Sequence, residues 1–195
     1  MVSIIGCNDA GPNVPHFHNK HIAENDLRQQ GVPFVSIRAG MFVDQGTKVF
    51  ENNVREDHLP AIGDPEKVKI SYITTPKLAD ALVEAMFSTS AVSNLVFDFG
   101  FREPLSSTDL LRILTDLTKR SNLSLKNMPE PKEGQHSEMF PGSAKDLKEM
   151  ISFVTAEDGA EYRGNFSDWE QTFGPPPNAE DALLEWVRCN QLMQS

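Results

Sequence analysis

Residues 15–45, PHFHNKHIAENDLRQQGVPFVSIRAGMFVDQ, decide the fold: they read as one helix, a stop, and one mostly apolar strand. At about 100° per residue, His16, Lys20, Ala23, Glu24 and Leu27 fall on one helix face. Ala23 and Leu27 are the residues a helix presses against a sheet, so this face is expected to look inward and to carry His16 and Lys20 with it. A buried ammonium without a partner is costly. Lys20 therefore either pairs with Glu24 one turn on or holds a ligand. Gly31 can take the left-handed conformation that ends a helix. Residues 33–37 then form a short strand that ends at Arg38-Ala39-Gly40. A strand running into small residues offers backbone groups at its C-terminal edge, where open α/β sheets take ligands.

Outward from this stretch, strands alternate with helices. Residues 2–5 are an apolar run short enough to be a buried strand, and residues 8–13 carry turn chemistry. Residues 41–53 are at best partly helical, and residues 55–67, with Pro60, Gly63 and Pro65, read as a surface loop. A second strand is expected at 68–73. Thr75 as N-cap and Pro76 at the first helical position then open a helix to about Met86, with Leu78, Leu82, Ala85 and Met86 as its stripe. Residues 95–99 read as a strand. Ser106 to Asp109 caps an amphipathic helix carrying Leu110, Leu111, Ile113, Leu114 and Leu117. One more strand is read at 124–126, a loop at 128–135, and a helix started by Ser143 and Asp146. Residues 156–177 read as polar and proline-rich, and a last helix runs from Asn178. This alternation implies an α/β fold.

The chain has 195 residues, enough for a domain with a core, and 28 acidic against 18 basic residues give a net charge of −10. That balance argues against nonspecific nucleic-acid binding and against anionic membrane surfaces. No apolar run reaches the length of a membrane span. The N-terminal MVSIIGCNDAGP lacks the basic region and apolar length of a signal peptide. Cys7 and Cys189 stand far apart without CxxC spacing, which suggests neither a disulfide framework nor a zinc site, so a reducing, cytoplasmic setting is expected.

Five stretches in order resemble the NmrA-like group of atypical short-chain dehydrogenase/reductase relatives. HFHNK (16–20) matches that group's H-F-x-x-K, and GVPFVSIRAGMFVDQ (31–45) its strand and loop. ISYITTPKLADALVEAM (70–86) matches its strand-then-helix segment, FPGSAKDLKEMISF (140–153) a motif near its C-terminus, and NAEDALLEWVRCNQ (178–191) its terminal helix. The resemblance implies a partial Rossmann-type parallel sheet flanked by helices, with a smaller, mostly helical C-terminal region. Residues 1–100 would be the later part of an NAD(P)-binding domain, and residues 101–195 a substrate- or partner-facing region packed on it. Residue 1 falls just before the lysine helix of the group, so about the first third of a full-length member would lie outside this chain. In keeping with that, the sequence contains no G-x-G-x-x-G turn to cradle a pyrophosphate, and no acid or arginine after a second strand to read a ribose.

The resemblance also supplies the candidate site. Active short-chain reductases place a tyrosine acid four residues before a lysine that holds the ribose. Here Lys20 takes the lysine's place and His16 the tyrosine's, so Lys20 is the candidate cofactor contact and His16 the candidate proton donor. His16 can equally be a polar residue at a helix start, and Lys20 a plain partner of Glu24. Gly6 and Cys7 stand where the group's serine would follow the first strand, and could offer backbone contacts to a nicotinamide. Ala39 and Gly40 would let a ring approach and Phe42 would cover it, unless the loop is a tight turn with Phe42 in the core. At 74–78 the group usually has D-V-x-D-[IL], and here Lys77 replaces an acid. No metal is expected: His16, His18 and His21 do not converge, and no HExxH pattern or nearby cysteine supports them. The implied cofactor is NADP. The implied activity is that of an NADP-dependent reductase or isomerase on a small molecule. The competing readings are a non-catalytic redox-sensing regulator or protein-interaction module, and an inactive fragment. A parallel sheet short of partner strands leaves an edge exposed, so self-association as a homo-oligomer, or else poor solubility, is expected.

Overall fold

The computed structural model describes residues 1–44, 53–88, 94–127 and 144–193. A three-stranded parallel sheet is built from β1 (Val2–Ile4), β2 (Val35–Ala39) and β6 (Leu95–Phe99), in the order β1-β2-β6. Two shorter parallel pairs join β3 (Met41–Phe42) to β5 (Tyr72–Ile73) and β4 (His58–Ala61) to β7 (Ser124–Asn127). Helix α1 (Pro15–Gln29) connects β1 to β2, and α2 (Thr75–Phe87) connects β5 to β6. Then follow α3 (Ser107–Thr118), α4 (Ala144–Thr155), a 3₁₀ segment (Ala156–Tyr162), α5 (Ser167–Phe173) and α6 (Ala179–Cys189). This is the α/β architecture expected, with parallel strands flanked by helices.

Register and pleat give the sheet one polar and one apolar face. Ser3 and Asp98 lie in register with Arg38, and Ser36 shares that face of β2. Ile37, Ala39, Phe97 and Phe99 alternate to the other face and are buried. Trp169 of α5 covers it, with ring centroids 4.5 Å from Phe99 and 5.8 Å from Phe97. The polar face lies under α1. Its helix ends as the sequence implies: Gly31 takes φ +65°, and the Val32 N–H closes back on the Leu27 carbonyl at 3.1 Å.

Several local expectations change. The inward residues of α1 are Phe17 and Glu24, whereas Ala23 and Leu27 are half-buried and His16 is exposed. The strand read at 33–37 begins at Val35, and Arg38 belongs to it. The expected loop at 55–67 contains β4, which tolerates Pro60 because it pairs on one side only, with β7. The strand expected at 68–73 shortens to Tyr72–Ile73, with Ile70 bridging Leu105 instead. Thr74, not Thr75, is the N-cap of α2. The Thr75 N–H is taken by Asp44 at 2.8 Å, and Met86 of the supposed apolar stripe is exposed. Residues 156–177 hold the 3₁₀ segment and α5. The capping box joining Ser106 and Asp109 forms as read, and the helix read from Asn178 begins at Ala179 with Asn178 as its N-cap. The loop read at 128–135 and the Ser143 cap lie outside the described residues.

Candidate functional site

The site is organised by the Glu24 carboxylate, which the sequence offers as one of two possible engagements of Lys20. Glu24 is fully buried under α1, and it pairs with Arg38 of β2 rather than with Lys20. Arg38 Nη2 donates to Glu24 Oε2 at 2.7 Å and Arg38 Nε to Oε1 at 3.1 Å, the forked geometry that makes arginine–carboxylate pairs strong. Ser36 Oγ adds a third hydrogen bond to Oε1 at 2.9 Å, and Arg38 Nη1 donates to Asn8 Oδ1 at 2.7 Å. Burial alone would push the Glu24 carboxyl up. The hydrogen bonds and charge of Arg38, helped by Ser3 and Ser36, outweigh it and hold the group below its usual range. Asp98 behaves oppositely: burial dominates and raises its carboxyl, although Oδ2 accepts the Asn165 N–H at 2.8 Å and Arg38 lies near. The pair fixes α1 to the sheet, and with it the helix positions of His16 and Lys20.

Released from Glu24, Lys20 extends the other way and Nζ donates to the Val2 carbonyl at 3.3 Å. It thus occupies an acceptor on β1, the strand at one end of the sheet. His16 sits one turn before it, edge-on to Phe17 at 6.1 Å between centroids. Partial burial of the ring and then the charge of Lys20 lower its pKa, although the residue as a whole stays exposed.

The remaining sequence candidates are engaged internally. Gly6 takes φ +76° in the turn after β1, and its carbonyl accepts the N–H groups of Asp9 and Ala10. The Cys7 N–H returns to the Ile4 carbonyl at 3.2 Å, while its buried thiol lies 3.5 Å from Ser3 Oγ and 3.9 Å from Glu24 Oε1. Ala39 is buried, and the Gly40 N–H closes onto the Phe99 carbonyl. Gly40 is small because a Cβ there would stand 2.7 Å from the Ser71 carbonyl oxygen: it is backbone that approaches it. Phe42 is half-buried against the core. Lys77, which departs from the group's acid, pairs with Glu185 of α6 at 2.8 Å and Asp80 at 3.5 Å. Of the histidines, His18 Nδ1 meets the Ala10 carbonyl at 3.1 Å, and His21 lies with Cys7 and Glu24.

No family model and no curated protein matches the chain. Solved structures do. A nucleoside-diphosphate-sugar epimerase from Staphylococcus aureus superposes with a TM-score of 0.64 at 17% identity, over 94% of this chain and 63% of its own. A triphenylmethane reductase from Citrobacter sp., complexed with NADP(H), gives 0.65 at 14% identity, over 95% and 63%. An NADPH-dependent quinone oxidoreductase from Escherichia coli gives 0.68 at 14%, over 96% and 66%. The fold is that of the NAD(P)-dependent reductases and epimerases. The chain spans about two-thirds of the length of these structures.

A Rossmann-like fold of this kind takes its dinucleotide at the C-terminal ends of the strands. Tested against that requirement, the described residues do not by themselves assemble a dinucleotide site. Lys20 is a cation on a helix held in place by Glu24 and Arg38, but its Nζ meets the carbonyl of Val2, the first residue of β1, rather than the C-terminal end of that strand. The turns at Gly6 and Gly40, where backbone would face a ring, are filled by this chain's own backbone. No glycine-rich phosphate turn occurs in the sequence. Among the described residues, no helix is long and apolar enough to cross a membrane.

Proposed function

We propose that this chain is an NmrA-like, NAD(P)(H)-binding protein of the oxidoreductase type, with NADP the preferred cofactor. The observation that carries the reading is the superposition of nearly the whole chain on NADPH-dependent reductases, together with Lys20 set beside β1 by the buried Glu24–Arg38 pair. Lys20 is the residue that would hold the nicotinamide ribose, and His16 the one that would move a proton near it. Residues 1–100 form the cofactor-facing part and residues 101–195 the region facing a small-molecule substrate. NADP(H), when bound, supplies the hydride. This chain's part is to position it, with the pyrophosphate cradle coming from residues not in this sequence, such as those of a second chain. The reading places the protein in the cytoplasm.

The test is consumption of NADPH with a panel of small quinones, followed by nicotinamide absorbance, for the parent chain and Lys20→Ala. The expected result is turnover that the substitution lowers at least tenfold. No consumption with any acceptor would sink the catalytic part of the reading.

A second reading, a partner-binding regulator on the same fold, draws on a different observation. Val83, Met86 and Phe87 share one face at the end of α2 and are 54%, 75% and 76% exposed, an apolar patch of the kind that marks interaction sites. Light scattering at micromolar concentration separates self-association from a monomer that awaits another protein.

A further inference from the structure

We propose that Cys7, His21 and Glu24 form a site for a single zinc ion, which ties the turn after β1 to helix α1. One ligand atom from each residue lies within 4.8 Å of the other two, and the three come from separate parts of the fold: the turn, and two successive turns of α1. Thiolate, imidazole and carboxylate are the donors zinc takes, at about 2.3, 2.0–2.1 and 2.0–2.2 Å. Tetrahedral geometry then places donors roughly 3.3–3.8 Å apart, by those bond lengths. Cys7 Sγ and Glu24 Oε1 already stand 3.9 Å apart. The widest separation needs to close by about 1 Å, which side-chain torsions supply.

The hydrogen-bonding pattern points to a ligand as well. His21 Nδ1 is buried and has no hydrogen-bond partner, although buried polar atoms are nearly always paired. Its other nitrogen, Nε2, lies 2.9 Å from Asn25 Nδ2, which donates to it; for Nδ1 to ligate, Nε2 must carry the proton, so the Asn25 amide turns to accept it through Oδ1, which now accepts from the exposed Arg28. On Glu24, Oε1 receives Arg38 Nε and Ser36 Oγ at 3.1 and 2.9 Å, and the long thiol contact at 3.9 Å is the weakest of the three. Zinc replaces that weakest contact: the Cys7 proton leaves to solvent, and sulfur and carboxylate both bond to the ion. Oε2 stays on Arg38. Ser3 Oγ, 3.5 Å from Cys7 Sγ, or a water completes the tetrahedron. Charge also closes. A dication with one thiolate, the Glu24 and Asp98 carboxylates and the Arg38 guanidinium is neutral as a group, so burial is not opposed by excess charge. The ion is structural here, because Cys7 and Glu24 are fully buried.

The experiment is titration of the metal-free chain with Co²⁺, then displacement by Zn²⁺, in a Cys189→Ser background that removes the exposed second thiol. The inference predicts one equivalent bound, tetrahedral visible bands, a thiolate-to-cobalt charge-transfer band, and a melting temperature raised by Zn²⁺. Cys7→Ser abolishes the charge-transfer band. His21→Gln, which keeps the thiol and the helix, weakens binding at least tenfold. A charge-transfer band that survives Cys7→Ser, or no tetrahedral cobalt signal at tenfold excess metal from a cooperatively melting parent chain, overturns it. Equal affinity in His21→Gln does so too.

Discussion

Replacing Arg38 by methionine leaves Glu24 as a buried carboxylate without its counter-charge, and the consequence can be worked from the structure. Glu24 is fully enclosed and the Arg38 side chain is 14% exposed, so water screens the pair little. Removing one member of such a pair costs about 3–5 kcal/mol. The slight exposure of Arg38 puts this case near the lower end, about 3 kcal/mol. Against a total stability of about 5–15 kcal/mol this is a large fraction. For a chain of this size it corresponds to a fall of about 6–12 °C in Tm. The double variant Glu24→Leu/Arg38→Met, which removes both charges, should return to within about 1 kcal/mol of the parent. Urea melts of the four proteins, analysed as a double-mutant cycle, measure both quantities. Their pH dependence adds a sign. The folded pKa of Glu24 lies below its unfolded value of about 4.3, so its contribution is complete above that value and lost as pH falls through the folded one. Arg38→Met should lose this acid limb. A single variant within 1 kcal/mol of the parent, or a double variant as unstable as the sum of the singles, would refute the reasoning.

Further outcomes follow from neighbouring groups. Asp98 is raised by burial, so its favourable contribution is full below the unfolded pKa of about 3.9 and lost as pH rises through the folded value. Asp98→Asn, which can still accept from Asn165, should match or exceed the parent's stability at pH 7 in urea melts; a clear loss there contradicts this. Ser71 Oγ is buried without a partner, so Ser71→Ala should be neutral or stabilising by up to about 1 kcal/mol. A larger loss would mean that the hydroxyl has a partner after all. A Cβ on Gly100 would collide with that same hydroxyl, and Gly100→Ala should cost about 1–3 kcal/mol, less in a Ser71→Ala background. A cost unchanged in that background would place the clash elsewhere.

What was legible in the sequence was what short-range chemistry dictates. Gly31 had to end α1, the apolar run at 95–99 had to be a strand, and Ser106 with Asp109 had to cap a helix. Each depends on residues within one turn of the chain. The misreadings come from longer-range competition. Lys20 is a cation one turn from Glu24 on the helix, but an arginine fourteen residues away on β2 offers a forked, buried partner and wins. Proline hid β4, because a one-sided strand does not need that N–H. The seven-residue α5 carries too few turns to show a period, although Trp169 and Phe173, four apart, were its signal. The fold class followed from strands alternating with helices. The gathering of Cys7, His21 and Glu24 did not, since the cysteine reaches the other two only once β1 and its turn are docked beneath α1.

The central claim is that Lys20, held beside β1 by the anchored helix, contacts an NADP(H) molecule. Calorimetric titration of the chain with NADPH, alongside Lys20→Ala, tests it most directly. The account predicts micromolar binding that the substitution weakens by tenfold or more. An unchanged affinity in Lys20→Ala, or no heat from a chain that melts cooperatively, would contradict it.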